Sequence, residues 1–209
     1  MRFLKYAMAM TLITLFGSGY LIAEDDAAKS YEKLKKEVED VAKSTNKYGS
    51  SLKDVMQSLA KVSISQAKDQ AKAIKSFQKG VEGLNKDLKK TTDQIQSLRD
   101  KRTQYFAAWE SSIAAITNPD LKKSSEDRRQ KVMADHAQLT EKATALRTRI
   151  DDFMKELNEL SSVLGSDPTP GAVTSAKPTI DKVSTNGDAL SKDVLNISGQ
   201  LNSFAKGTN

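Results

Sequence analysis

The chain has 209 residues, with 33 basic and 27 acidic side chains, one histidine, one tryptophan and no cysteine. The missing cysteine excludes disulfides, thiolate metal ligands, a cysteine nucleophile and lipid attachment to an N-terminal cysteine. The length suits a single domain, and the net charge of +6 comes from Lys, Asp and Glu interspersed on the same faces. That pattern describes a solvated helix surface and argues against a nucleic-acid partner.

The N-terminus reads as an export signal over residues 1–23. Arg2 and Lys5 give a positive start, Ala7 to Phe16 an apolar core, and Gly17 to Ala23 a run of small or apolar residues before Glu24, Asp25 and Asp26. Cleavage is expected after Ala23, although Leu21 stands where a small residue is usual. The alternative is an uncleaved anchor, because the uncharged run from Tyr6 to Ala23 is about 18 residues long. A membrane partner is expected only in that case. Removal of the segment takes Arg2 and Lys5 with it, which lowers the net charge from +6 to +4. Export without disulfides points to a bacterial envelope, with a periplasmic or secreted product of residues 24–209 forming one helical domain.

Four elements follow in chain order. From Tyr31 to Val62 apolar or seam positions recur at an unbroken 3,4 spacing through Leu34, Val38, Val41, Tyr48, Leu52 and Leu59, the mark of a heptad-patterned helix. A second seam from Ala67 to Ile116 keeps the spacing one residue out of phase, which places a turn near Ser63 to Ser65 or else a skip within one continuous helix. Asn118 and Pro119 end that helix and begin the next, whose stripe runs from Leu139 to Leu164 and extends back through His136, Val132 and Arg129. Gly165, Pro168, Pro170 and Gly171 then form a connection. A fourth stripe from Ala176 to Phe204 follows, with Pro178 acceptable only in a first turn.

The expected fold class is all-α: an antiparallel bundle of four long heptad-patterned helices. The middle pair spans about 70 to 75 Å and the outer helices about two-thirds of that. Such inequality predicts a four-helix base from which the second and third helices project as a two-helix coiled-coil hairpin.

No catalytic, cofactor or metal site emerges. His136 has Met133 three residues before it and no second histidine, so the Glu-x-x-His pattern of helical di-metal sites is missing, and a structural, partly solvated imidazole is the simpler reading. Asp151, Asp152, Glu156 and Glu159 flank a packing stripe, where carboxylates commonly pair with Lys or Arg. The chain lacks a phosphate loop, a G-x-S-x-G elbow, an H-E-x-x-H pair and a calcium loop.

The tip is more informative. Reflecting the hairpin about Asn118 and Pro119 sets Trp109 opposite Arg128 and Arg129, which would place a guanidinium over the indole. The functional alternative is that Phe106, Trp109, Ile113 and Ile116, with Arg128 beside them, leave an aromatic surface for a protein partner.

The stretch containing Tyr105, Phe106, Trp109, Glu110, Ile116, Asn118, Leu121, Ser125 and Arg128 resembles an uncharacterised family of bacterial cell-envelope proteins that carries a numbered domain of unknown function. The resemblance extends over about residues 30–205. It implies a long-helix bundle and an envelope address, and no mechanism. Many members of that family look like lipoproteins; without a cysteine, lipid anchoring does not carry over to this chain. The expectation is an exported, non-enzymatic coiled-coil scaffold or protein-binding module, with self-association among its possible contacts. A periplasmic holding chaperone is the alternative.

Overall fold

A 3,4 repeat of apolar residues leaves one stripe on each helix that must be buried, and four such helices bury their stripes together. The computed structural model describes the backbone of residues 21–206 and the side chains of residues 27–206. Four helices account for nearly all of it: α1 (Leu21–Ile64), α2 (Ala67–Ala114), α3 (Pro119–Ser166) and α4 (Pro170–Ala205). Each packs against its neighbours in sequence, and α4 closes the ring onto α1. The export segment expected over residues 1–23 lies outside the described residues except for its last three positions, which begin α1.

The phase break between the first two stripes is a turn. Helix α1 ends at Ile64, and the buried Gln70 side chain reaches back to donate to the carbonyl of Val62 at 2.7 Å, satisfying an acceptor that the helix end leaves free. At the opposite end, Asn118 caps α3 by accepting from the backbone N–H groups of Asp120 and Leu121, with Pro119 in the first turn where it lacks no needed donor.

Two expectations about length are corrected. Helix α1 is already helical at Leu21, the first described residue and ten before Tyr31, so its 44 described residues nearly match the 48 of α2 and α3. Helix α4 starts at Pro170, capped by Thr169, and therefore carries Pro178 well inside its span. The proline removes one backbone donor, but that face is exposed and water can serve the freed carbonyl.

The helices are not evenly spaced. Helix α1 lies close against α2 and α4, whereas α3 stands further off from both of its neighbours. Small residues set the close pair: Ser198 Oγ donates to the carbonyl of Ala42 at 2.8 Å and Ser191 Oγ to that of Gly49 at 3.0 Å. A Cβ on Gly49 would meet Leu195 and Val194 at 3.0 to 3.1 Å. Nearer the base, Gly187 makes room for Met56 and Phe153.

The apolar interior falls into two clusters. The base holds Tyr48, Leu52, Leu59, Ile74, Phe77, Leu84, Phe153, Leu157, Leu164, Ile180 and Val183, drawn from all four helices. A smaller distal cluster joins Leu34, Val38, Val41 and Ala42 of α1 to Leu201 and Ala205 of α4, with Leu98, Tyr105 and Leu139 packed against it. Beyond Phe204, which meets His136, the first part of α3 runs on for about 25 Å toward Pro119 without α4 beside it, so the hairpin projects on that side.

The glycines separate close packing from helix propensity. Gly187→Leu should destabilise the bundle by about 1 to 3 kcal/mol, because a side chain there has no space beside Met56 and Phe153. Gly83→Ala, on an exposed face with nothing within 4 Å of the added methyl, should instead stabilise by about 0.5 to 1 kcal/mol. Chemical denaturation of the two variants measures both.

Candidate functional site at the distal end

Helical spacing brings Tyr105, Phe106 and Trp109 together, since residues three and four apart share a face. Tyr105 lies 5.4 Å from Trp109 and 5.3 Å from Phe106, and Phe106 stacks on Trp109 with ring centroids 6.5 Å apart. The cluster reaches beyond α2. Tyr31 of α1 meets Tyr105 at 5.6 Å, and His136 of α3 stands edge-on between Phe106 at 5.5 Å and Phe204 of α4 at 4.5 Å. Six rings from four helices thus form one connected layer at the level where α4 ends.

Of the residues picked from sequence, Phe106, Trp109 and Ile116 are half-buried, Arg128 is exposed, and Ile113 is buried at 5% exposure. Ile113 therefore belongs to the packing of the arm and not to its surface. The exposed apolar groups near this end are Tyr31, Leu121 and Met133. Tyr31 opens the seam of the first helix, whereas Leu121 and Met133 lie off the seam positions from which the sequence reading started.

The expected arginine over the indole does not form among the described residues. Trp109 Nε1 donates to Ser125 Oγ at 3.2 Å, and Arg129 pairs with Glu110 at 2.8 Å. The discrepancy is one helical turn. Helix α2 already ends at Ala114, so the hairpin folds about the middle of the 115–118 connection, which sets Trp109 opposite Ser125. Burial, with a further contribution from Tyr31 and an opposing one from Arg128, pushes the Tyr105 hydroxyl up to about 12.

His136 differs from the partly solvated residue expected. It is 9% exposed, and its Nε2 is buried with no hydrogen-bond partner. Burial, reinforced by the nearby Arg102 and opposed by Asp135, depresses its pKa to about 4. A neutral imidazole between two phenylalanines has a packing role, and no cluster of three potential ligands stands anywhere among the described residues.

Two of the four carboxylates that flank the α3 stripe, Asp151 and Glu156, pair with cations. Asp151 binds Arg147 at 2.8 Å, and Glu156 binds Lys182 at 2.7 Å. Asp87 receives Lys47 at 2.6 Å and Ser51 at 2.8 Å; burial raises its pKa, but these donors outweigh it and hold the group below its ordinary value. No helix of the described residues is long and apolar enough to cross a membrane.

The sequence matches the family model described as "Protein of unknown function (DUF2959)" over residues 20–206. No curated protein and no solved structure matches the chain.

The pH dependence of stability carries the His136 signature. In the unfolded chain the imidazole takes up a proton near 6.5, whereas in the fold it does so only near 4. Its contribution is fully present above about pH 6.5 and is lost as pH falls toward 4, a change on the order of 3 kcal/mol. The Asp87 contribution disappears only below its ordinary value of 3.8, so the two windows separate. Denaturation midpoints between pH 7 and 4.5 should fall for the parent chain, and His136→Leu should flatten the slope.

Proposed function

Because the chain belongs to the family of proteins of unknown function DUF2959, we propose a role from its surface: an exported, non-enzymatic scaffold of the bacterial envelope that binds a protein partner at its distal end. The observation behind this reading is the arrangement of apolar groups around the aromatic layer. Tyr31 is 45% exposed, Met133 41% and Leu121 37%, and they lie on the same distal part of the helices as half-buried Phe106 and Trp109. Ile64 and Val163 are also exposed, at the base, but only the distal groups adjoin a layer of half-buried aromatic rings, and such an apolar and aromatic surface is suited to a partner.

The surroundings favour a protein over a small substrate. Arg128 is exposed at the rim, and the Arg129 to Glu110 pair lies beside the indole, so an apolar centre has a charged border, the usual layout of a protein interface. Aromatic and arginine side chains are also the groups whose removal most often costs binding. A second copy of the chain is one candidate partner, and a holding chaperone would display similar apolar groups to many clients.

A photo-crosslinking residue placed at Leu121, compared with one at Val163, which is 56% exposed at the base, tests the reading in intact cells. The expected result is a discrete adduct from position 121 that Trp109→Ala removes while helicity is retained. Equal labelling from both positions would exclude a distal binding surface. An adduct of twice the chain mass would identify self-association, and a broad smear of adducts would favour the chaperone.

A further inference from the structure

Between the base and distal clusters the four helices enclose a cavity of about 350 Å3. Tyr48 and Ile150 line its base end, and His136 and Phe204 its distal end. The part of α3 from His136 to Ile150 spans about 21 Å at the usual rise, so the space is long and narrow. Its existence follows from the packing. Helix α1 is drawn against α4, α3 stands off, and at the middle of the α3 stripe Ala143 is too short to cross the gap between Leu139 and Leu146.

The wall is apolar with a one-sided charge. Leu88, Ile95, Leu146, Val194, Ile197 and Leu201 contribute side chains from α2, α3 and α4, while Arg99, Arg102 and Arg147 are the charged lining groups and no carboxylate lines the space. Arg147 is already paired with Asp151. Arg102 donates to the hydroxyl of Thr140 at 2.9 Å, and Arg147 also donates to that of Thr92. These two bridges cross from α2 to α3, and between them the lining residues Ile95 and Leu98 are only half-buried, so the opening lies on this side. At the distal end one buried polar atom on a lining residue, Nε2 of His136, has no partner. Leaving such a group unsatisfied is costly unless something else meets it.

We propose that this cavity binds a single-chain anionic amphiphile of the long-chain fatty acid class, its carboxylate against Arg99 and Arg102 and its alkyl chain directed toward Ile150 and Val194. The size falls within the range of small-molecule sites, and an apolar enclosure with a few converging polar groups is their usual composition. Residues 99 and 102 are one turn apart on α2, so their guanidinium groups can serve one head group. His136 Nε2 lies at the same end. The tail end is lined by leucine, isoleucine and valine, where an alkyl chain gains by leaving water. This site is separate from the distal surface and does not depend on the partner reading.

Titration calorimetry on the full chain with palmitate, hexadecanol and hexadecyltrimethylammonium tests the assignment. Palmitate should bind saturably at one molecule per chain and raise the melting temperature, with hexadecanol weaker by about tenfold or more and the cationic amphiphile not competing. Arg102→Gln should weaken palmitate by about tenfold and leave hexadecanol unchanged. Ala143→Phe, which fills the middle of the space, should abolish binding of both while the helical signal persists. The proposal is overturned if palmitate does not bind, or if it binds equally well to Arg102→Gln. It is also overturned if native mass spectrometry after incubation with phosphatidylglycerol vesicles finds a diacyl lipid retained in preference to palmitate.

Discussion

The close approach of α1 to α4 is the constraint on which the rest of the molecule depends. Two serine hydroxyls of α4 bond directly to backbone carbonyls of α1 at Ala42 and Gly49, which is possible only where no large side chain keeps the helices apart. Both carbonyls already serve within a helix, so each serine adds a second bond to an acceptor with two lone pairs, and neither hydroxyl is left unsatisfied in the interior. With α1 also close to α2, three helices form a tight unit and α3 completes the ring at a greater distance. At the base, large residues of α3 such as Phe153 and Leu157 bridge that distance. Farther along, Ala143 does not, and the interior divides into two clusters.

Most of the fold could be read from periodicity. The 3,4 stripe of α1 is buried at nine of its ten positions, from Leu34 to Val62, and only Tyr31 is exposed. The Asn118-Pro119 pair marked the hairpin end because one side chain accepts two otherwise free N–H groups and the other needs none. Helix starts were harder to place. Nothing apolar recurs between Ala23 and Tyr31 to announce a helix, and Pro178 suggested a boundary that tertiary packing of Val173 and Ile180 overrode.

The distal layer was only partly legible. That Phe106 and Trp109 share a face follows from spacing alone, but Ser125 as the indole's partner depends on where the hairpin turns, and contacts from Tyr31 and Phe204 come from helices far away in sequence. A signal for the close helix pair was present in the small residues Ala42, Thr45 and Gly49 on α1 and Ser191 and Ser198 on α4, spaced at three, four and seven. A stripe reading that counts apolar residues passes over them, because they matter for their smallness. The cavity is invisible for the same reason: Ala143 satisfies a heptad position while leaving it unfilled.

Two interior clusters on one set of helices also imply two different strengths of closure. The base is held by short connections, with α1 and α2 joined through 65–66 and α3 and α4 through 167–169, so its contacts form at little cost in chain entropy. The distal cluster joins Leu34 to Leu201, across most of the chain, and contains few residues. Local opening therefore starts there, as a parting of α1 from the last turns of α4 while the base remains folded. Such a motion moves Leu201 and Phe204 away from the inner space and widens its distal end, without breaking the arginine bridges along its side.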